Sequence, residues 1–376
     1  MAPNRKKHSK AKTGNESARI LLKILIAMLC LGALGLGALA AGVKFGSKST
    51  KTNTGISLQT TTTQGPAIFP LTGLLSNNPS LSSRPAIDVK IDDDYAARPQ
   101  SGINQADLVY EEVVEGGITR WLAVFQSQDA PVLGPVRSVR ETDAQLVAPI
   151  GGLFAYSGGI PPFISDVMAT GVVDVGASTG DPSAYYRDNA RLIPDNLYTS
   201  TLTLRKFRTS YNSPPPKLFD YRAIGAPFVA FGALPVSSIS VPLSGVSNIS
   251  WNWNPTTNNW DRIQGVPARD AQGNPITATN VIVEIVPYSN TGYIDPAGNP
   301  VPDANTVGTG RAYVLSGGRV AKAIWTKPFE KSITVFTDMR GHKIDLEPGN
   351  TWVELLPESQ PNPTCTSPTG VTLPSC

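Results

Sequence analysis

Six arginines cluster between residues 98 and 191: Arg98, Arg120, Arg137, Arg140, Arg187 and Arg191, several beside glycine, proline or asparagine in "ARPQSG", "GPVRSVR" and "YYRDNARLIPDNLYTS". Guanidinium groups present fixed pairs of N–H donors that match carboxylate and phosphate oxygens. The run "GPVRSVRETD" puts Arg137 and Arg140 at an expected strand-to-helix junction, where free backbone N–H groups would add to an anion site. The same run also spells Ser138-Val139-Arg140-Glu141, a capping box in which Ser138 and Glu141 use up those N–H groups. Both readings stand at this level: a grip for an anion, or the charged end of a capped helix.

Other chemistry is limited by what the chain contains. It has two histidines, His8 and His342, and three cysteines, Cys30, Cys365 and Cys376. A Ser-His-Asp triad, a Cys-His nucleophile or a multi-histidine zinc site needs more than one isolated imidazole. Carboxylates remain, since two of them flanking a glycosidic bond hydrolyse it without histidine. Asp88, Asp92, Asp93, Asp94, Glu111, Glu112, Glu115, Glu141 and Asp143 are candidates by type, and their spacing selects no pair. "IDDDY" (91–95) lacks the spaced ligands and glycine of a calcium loop and reads as a solvated acidic turn. No catalytic residue, metal site or cofactor is assigned.

The elements that would position these groups begin after a charged N-terminus. Residues 1–51 carry ten Lys/Arg against Glu16, a net +9, so the rest holds 22 basic and 28 acidic residues, a net −6. That acidic balance excludes a nucleic-acid surface on the body. Residues 1–23 form a basic tail before "ILIAMLCLGALGLGALAAGV" (24–43), 20 uncharged residues that are long enough to span a bilayer. The positive flank keeps the tail cytoplasmic and exports the body. A cleaved signal peptide ending at Ala38-Leu39-Ala40 is the rival, and it exports the body equally. The Ser/Thr/Gly-rich stretch 44–66 reads as a flexible linker reaching a few tens of Å.

The body reads as α+β: a mixed α/β domain over 67–230, a small β-rich domain over 231–357 and a loose tail over 358–376. In "ADLVYEEVVEGGITRWLAVFQ" the glycines 116 and 117 signal a two-residue hairpin. That register sets Val113 opposite Arg120, leaving Arg120 diagonal to Glu111 and Glu115 as an ion pair within the sheet. Gly317-Gly318 signals a second hairpin in the β-rich region. Cys365 and Cys376 could close a small disulfide loop in an oxidising compartment, or stay as free thiols on the tail.

A series of blocks in fixed order resembles the YerB-like family of bacterial lipoproteins, a domain of unknown function: "PLTG", "RP" at 84–85, "ARPQSGINQADLVYE", "EGGITR", "GPVRSVR", "SGG" and "NLYTS". "AIWTK" (323–327) and "PGNTWVELLP" (348–357) are similar to its C-terminal companion domain. The resemblance implies a two-domain, membrane-attached envelope protein outside the cytoplasm, and it implies no reaction. It departs in two ways. Lipoprotein members carry a lipidated cysteine, whereas this chain carries an apolar helix; and where members often have histidine, this chain has Tyr156-Ser157 and Asp195. The resulting expectation is a single-pass membrane protein whose extracytoplasmic body binds an anionic cell-wall glycan or an envelope protein. Its contacts would be Arg98, Arg120, Arg137, Ser138, Arg140, Gly158, Gly159, Arg187, Arg191, Asn196 and Tyr198. The alternative is a carboxylate-dependent hydrolase of cell-wall glycan.

Overall fold

A computed structural model describes residues 67–207 and 210–376. The basic tail, the apolar segment 24–43 and the linker therefore lie outside the described residues; among those described, no helix is long and apolar enough to cross a membrane. The body is rich in β-structure, with a few short helices, the longest being Pro161–Ala169.

An eleven-stranded sheet runs through the body. Val173–Asp174, Leu153–Ala155, Ile87–Asp92, Thr119–Phe125 and Leu108–Val113 supply one side. Thr351–Pro357, Asn280–Val286, Gly308–Ser316, Arg319–Lys327 and Val335–Asp338 continue it, and Leu234–Pro235 pairs at the edge of Arg319–Lys327. The seam is a parallel pairing of Leu108–Val113 with Thr351–Pro357, Val109 opposite Trp352 and Glu111 opposite Glu354. The two sequence regions expected on either side of 230/231 are joined by one hydrogen-bonded sheet. Both seam strands are buried on both faces, as parallel pairs require.

Alternation along Thr119–Phe125 sends Trp121, Ala123 and Phe125 to one face and Leu122 and Val124 to the other. The first face meets a six-stranded sheet made from Ser238–Pro242, Asn248–Asn254, Asn259–Gln264 and their neighbours, which brings Trp251 and Trp260 inward. The second face is covered by the helices Thr142–Val147 and Pro161–Ala169 through Leu146, Val147, Phe163 and Val167.

The tail is not loose. Thr364–Thr366 pairs with Ser238–Pro242, and Cys365 is bonded to Cys376 with their Cα atoms 5.3 Å apart. Both cysteines are buried in the core that includes Ile239. Burial of Cys365 in that core supplies the apolar contact that the polar run around it hides.

The first hairpin also departs from expectation. Val113 faces Thr119 and Glu112 faces Arg120, a shift of one residue, because the connection is a five-residue loop closed by Val114 N–H donating to the Ile118 carbonyl. Both glycines adopt left-handed backbone, but Ser244 from the second sheet donates to the Gly117 carbonyl at 2.5 Å and helps set the loop's shape. Gly317-Gly318, by contrast, forms a two-residue turn between Ser316 and Arg319.

Candidate functional site

The acids and arginines of the sequence sort into three groups once folded. The deepest lies between the sheets. Arg262 is wholly buried, its guanidinium 5.4, 5.6 and 5.0 Å from the ring centres of Trp121, Trp251 and Trp352. It forms a two-armed pair with Glu111, Nη1 at 2.8 Å from Oε2 and Nη2 donating to Oε1 at 2.9 Å, with Glu354 at 3.4 Å and Asp93 at 3.6 Å. Burial, with the Glu111 charge behind it, pushes Glu354 well above the ordinary glutamate range and Asp93 up to about 6. A second buried group joins Lys90 to Glu112 at 2.6 Å and to Asp143 at 2.7 Å. These groups have no route to a substrate; they hold strands together.

The third group reaches the surface and contains the arginines of "GPVRSVRETD". Asp92, at the end of its strand, sits opposite Arg120 in the sheet, 3.8 Å from its Nε. Pairing with Ile87–Asp92 thus supplies a partner that the hairpin alone did not offer; of the expected partners, Glu115 acts on Arg120 by charge, while Glu111 is spent on Arg262. Asp92 Oδ2 also lies 2.6 Å from Arg137 Nε, at an angle too bent for a hydrogen bond, so charge holds the contact. Burial opposes ionisation of Asp92, yet Arg120 and Arg137 outweigh it and keep the carboxyl below its usual range. Arg120 itself is drawn down to about 10, by burial first and then by the Arg140 charge.

Arg140 is committed elsewhere. Its Nε and Nη2 donate to Glu115 Oε2 at 3.0 and 2.7 Å, and its Nη1 donates to the Val139 carbonyl at 2.8 Å. The expected capping box does not form. The helix starts only at Thr142, and it is Asp143 that accepts the Arg140 backbone N–H, at 2.7 Å. Ser138 is half-buried, and its carbonyl takes a long 3.5 Å bond from Arg120 Nη1.

The remaining arginines staple loops. Arg98 donates to the Asp93 carbonyl at 2.7 Å, Arg187 to Asn196 Oδ1 at 2.6 Å, and Arg191 to the carbonyls of Ala97 and Pro99, both at 2.8 Å. Arg191 also lies over the buried Tyr198 ring, which stacks on Tyr186. Gly159 lets the chain press against Val139, whose Cγ1 would stand 2.3 Å from an added Cβ, and the Gly158 carbonyl accepts from Val139 N–H. These glycines serve packing rather than line a hollow. Nor is "IDDDY" a solvated turn: Asp92 and Asp93 are buried against guanidinium groups.

Arg137 is partly open. Its Nε meets Asp92 by charge alone, Nη1 and Nη2 make no hydrogen bond among the described residues, and its side chain keeps 21% exposure. Among the same residues, exposed Arg187 likewise spends only Nη1. Nearby, burial first and then Asp92 raise Asp195 to about 6. Arg191 ties the 188–196 loop to the 95–99 loop, and these loops and the strand before them carry exposed apolar side chains: Tyr95 at 85%, Leu192 at 87%, Ile193 at 73% and Tyr186 at 50%.

Comparison with known proteins places this geometry. Residues 71–213 match the N-terminal domain, and residues 239–353 the C-terminal domain, of a protein family of unknown function, DUF3048. The chain belongs to the DUF3048 family. A relative described as "Putative lipoprotein YerB", from Bacillus subtilis (strain 168), is 26% identical over 308 residues, spanning 77% of this chain and 86% of its own. The crystal structure of YerB from Bacillus subtilis has a similar fold, with a TM-score of 0.66 at 24% identity, over 77% of this chain and 96% of that one. The family blocks gather around the third group: "GPVRSVR" supplies Arg137, "NLYTS" follows Asp195, and "SGG" follows Tyr156. Tyr156 points inward, its hydroxyl bonded to Thr179 at 2.5 Å and near Asp174 at 3.3 Å. Sequence reasoning weighed Asp92 by type alone and Asp195 only as a departure. Asp92 acts on Asp195 across 103 positions of chain (195 − 92), and no local pattern announces it.

Proposed function

We propose that the chain is a non-catalytic binding protein of the bacterial envelope, its body extracytoplasmic and held to the membrane by the single apolar segment 24–43. Its ligand is an anionic cell-wall glycan met by Arg137. The observation that carries this reading is the pair of Arg137 Nη donors left without a hydrogen bond among the described residues, with exposed Tyr95 and Tyr186 on segments that Arg191 and Tyr198 link. Guanidinium forks suit phosphate and carboxylate, and tyrosines present flat apolar faces to sugar rings. The name of the Bacillus relative, a lipoprotein, supports an envelope location.

A hydrolase is the weaker reading on geometric grounds. Carboxyl pairs that cleave glycosidic bonds stand roughly 5–9.5 Å apart so that substrate or water fits between them. Asp92 is held between Arg120 and Arg137, and the other close acids are sealed around Arg262 or Lys90.

The test is binding of the full chain to purified cell walls, before and after extraction of their anionic polymers. Arg137→Ala should weaken binding by about ten- to a hundredfold, the worth of one charged hydrogen-bonding group at about 1.5–3 kcal/mol. Arg311→Ala is the control, since it removes one exposed arginine from Gly308–Ser316, a strand of the sheet well removed from Ile87–Asp92. Equal binding by Arg137→Ala and the parent, or equal binding to extracted walls, overturns the proposal; capture of an envelope protein in place of glycan does so as well.

A further inference from the structure

On a different part of the body, two hollows lie side by side. One, of about 460 Å³, is lined by Trp253, Thr257, Asn258, Asn259, Arg222 and Glu347 among others. The other, of about 580 Å³, is walled by Ile68, Phe69, Leu75, Tyr221 and Ile224. Arg222 and Pro348 line both.

Their chemistry differs sharply. In the first, the Trp253 indole N–H, the Thr257 hydroxyl and the Asn258 side chain make no hydrogen bond among the described residues, while Glu347 is engaged with Arg222 at 2.5 Å. Trp253 is held on edge by Trp260, 5.1 Å between ring centres, and by the Gly318 turn, where an added Cβ would stand 2.7 Å from Nε1. Asn258 takes left-handed backbone at φ 53° at the tip of its hairpin, which adds its amide to the same rim. Rigid aromatic edge, amides and hydroxyl together suit a hydroxyl-rich ligand, since each can donate or accept at a sugar hydroxyl. In the second hollow Ile68, Leu75 and Ile224 are more than half exposed, a cost in water unless something apolar covers them.

We propose that the two hollows together bind one amphiphile, a glycolipid whose saccharide head occupies the Trp253 hollow and whose alkyl chain lies along Ile68, Leu75 and Ile224. The shared wall of Arg222 and Pro348 is where head joins chain. The polar hollow argues for the occupant of the apolar one: a bare hydrocarbon makes no use of the Thr257 and Asn258 groups that water otherwise meets, and a free sugar leaves the isoleucines wet. This site is separate from Arg137 and does not depend on that reading.

The probes are hexyl β-glucoside, methyl β-glucoside and hexanol, titrated by saturation-transfer NMR onto the full chain in lipid nanodiscs, with empty discs subtracted. The hexyl glucoside should bind at least tenfold more tightly than either part. Ile224→Asp should reduce it to the level of methyl glucoside, and Thr257→Val with Asn258→Ala should reduce it to that of hexanol. All these side chains are exposed, so folding is kept, and circular dichroism checks it. Equal affinity for hexyl and methyl glucoside removes the chain from the site, and loss of binding in neither variant removes the site itself. Failure of all three probes to bind overturns the proposal. Arg137→Ala should leave every one of these titrations unchanged.

Discussion

Replacing Arg140 and Arg137 separately by alanine should separate stability from binding within one ten-residue run. Arg140 donates three hydrogen bonds, two to Glu115 and one to the Val139 carbonyl, from a side chain only 10% exposed. Two of the bonds share one oxygen and both partners reach solvent slightly, so the loss belongs at the lower end of the range for breaking a buried pair, about 3 kcal/mol. A body of about 300 residues has a melting entropy of about 0.6 kcal/mol/K, which turns that loss into a fall of about 5 °C in Tm. Arg137 gives up one bent contact, and Asp92 keeps Arg120. Its loss should cost about 1 kcal/mol, under 2 °C. Calorimetry at pH 7 gives the melting temperatures, and cell-wall binding per folded molecule gives the function. Equal melting losses, or an Arg137→Ala protein that melts low and binds normally, would refute the division of roles.

Glu111→Gln should destabilise the body by about 3–5 kcal/mol in urea titration, because it strips the two-armed partner from a fully buried Arg262. Asp195 is raised, so between about pH 4 and 6 the folded chain holds a proton that the unfolded chain has lost. Its share of stability therefore falls as pH rises through that window, and Asp195→Asn should flatten this part of a stability-against-pH curve. Asp93 and Asp143, raised to about 6 mainly by burial, should leave a residual slope of the same sign. Cys365→Ser opens a loop of sequence separation 11 and should cost up to about 3 kcal/mol, seen as lost amide-exchange protection in Thr364–Thr366.

The sequence alone determined what is local or compositional. β-rich composition marked the runs that became Thr119–Phe125 and Arg319–Lys327, and Gly317-Gly318 marked the turn that formed there. The two histidines bounded the chemistry, and the order of short blocks carried the resemblance to the family. Tertiary structure decided the rest. The same Gly-Gly pair at 116–117 became a longer loop contacted by Ser244, which put Glu112 rather than Val113 opposite Arg120, while pairing with Ile87–Asp92 set Asp92 on its other side. The seam between Leu108–Val113 and Thr351–Pro357 and the Arg262–Glu111 pair join residues far apart in the chain. Such contacts leave no periodic trace. A charged residue destined for the core has the same letter as one left in water, and only the fold's enclosure of Arg262 by three tryptophans, against the open Nη atoms of Arg137, sets the structural arginine apart from the available one.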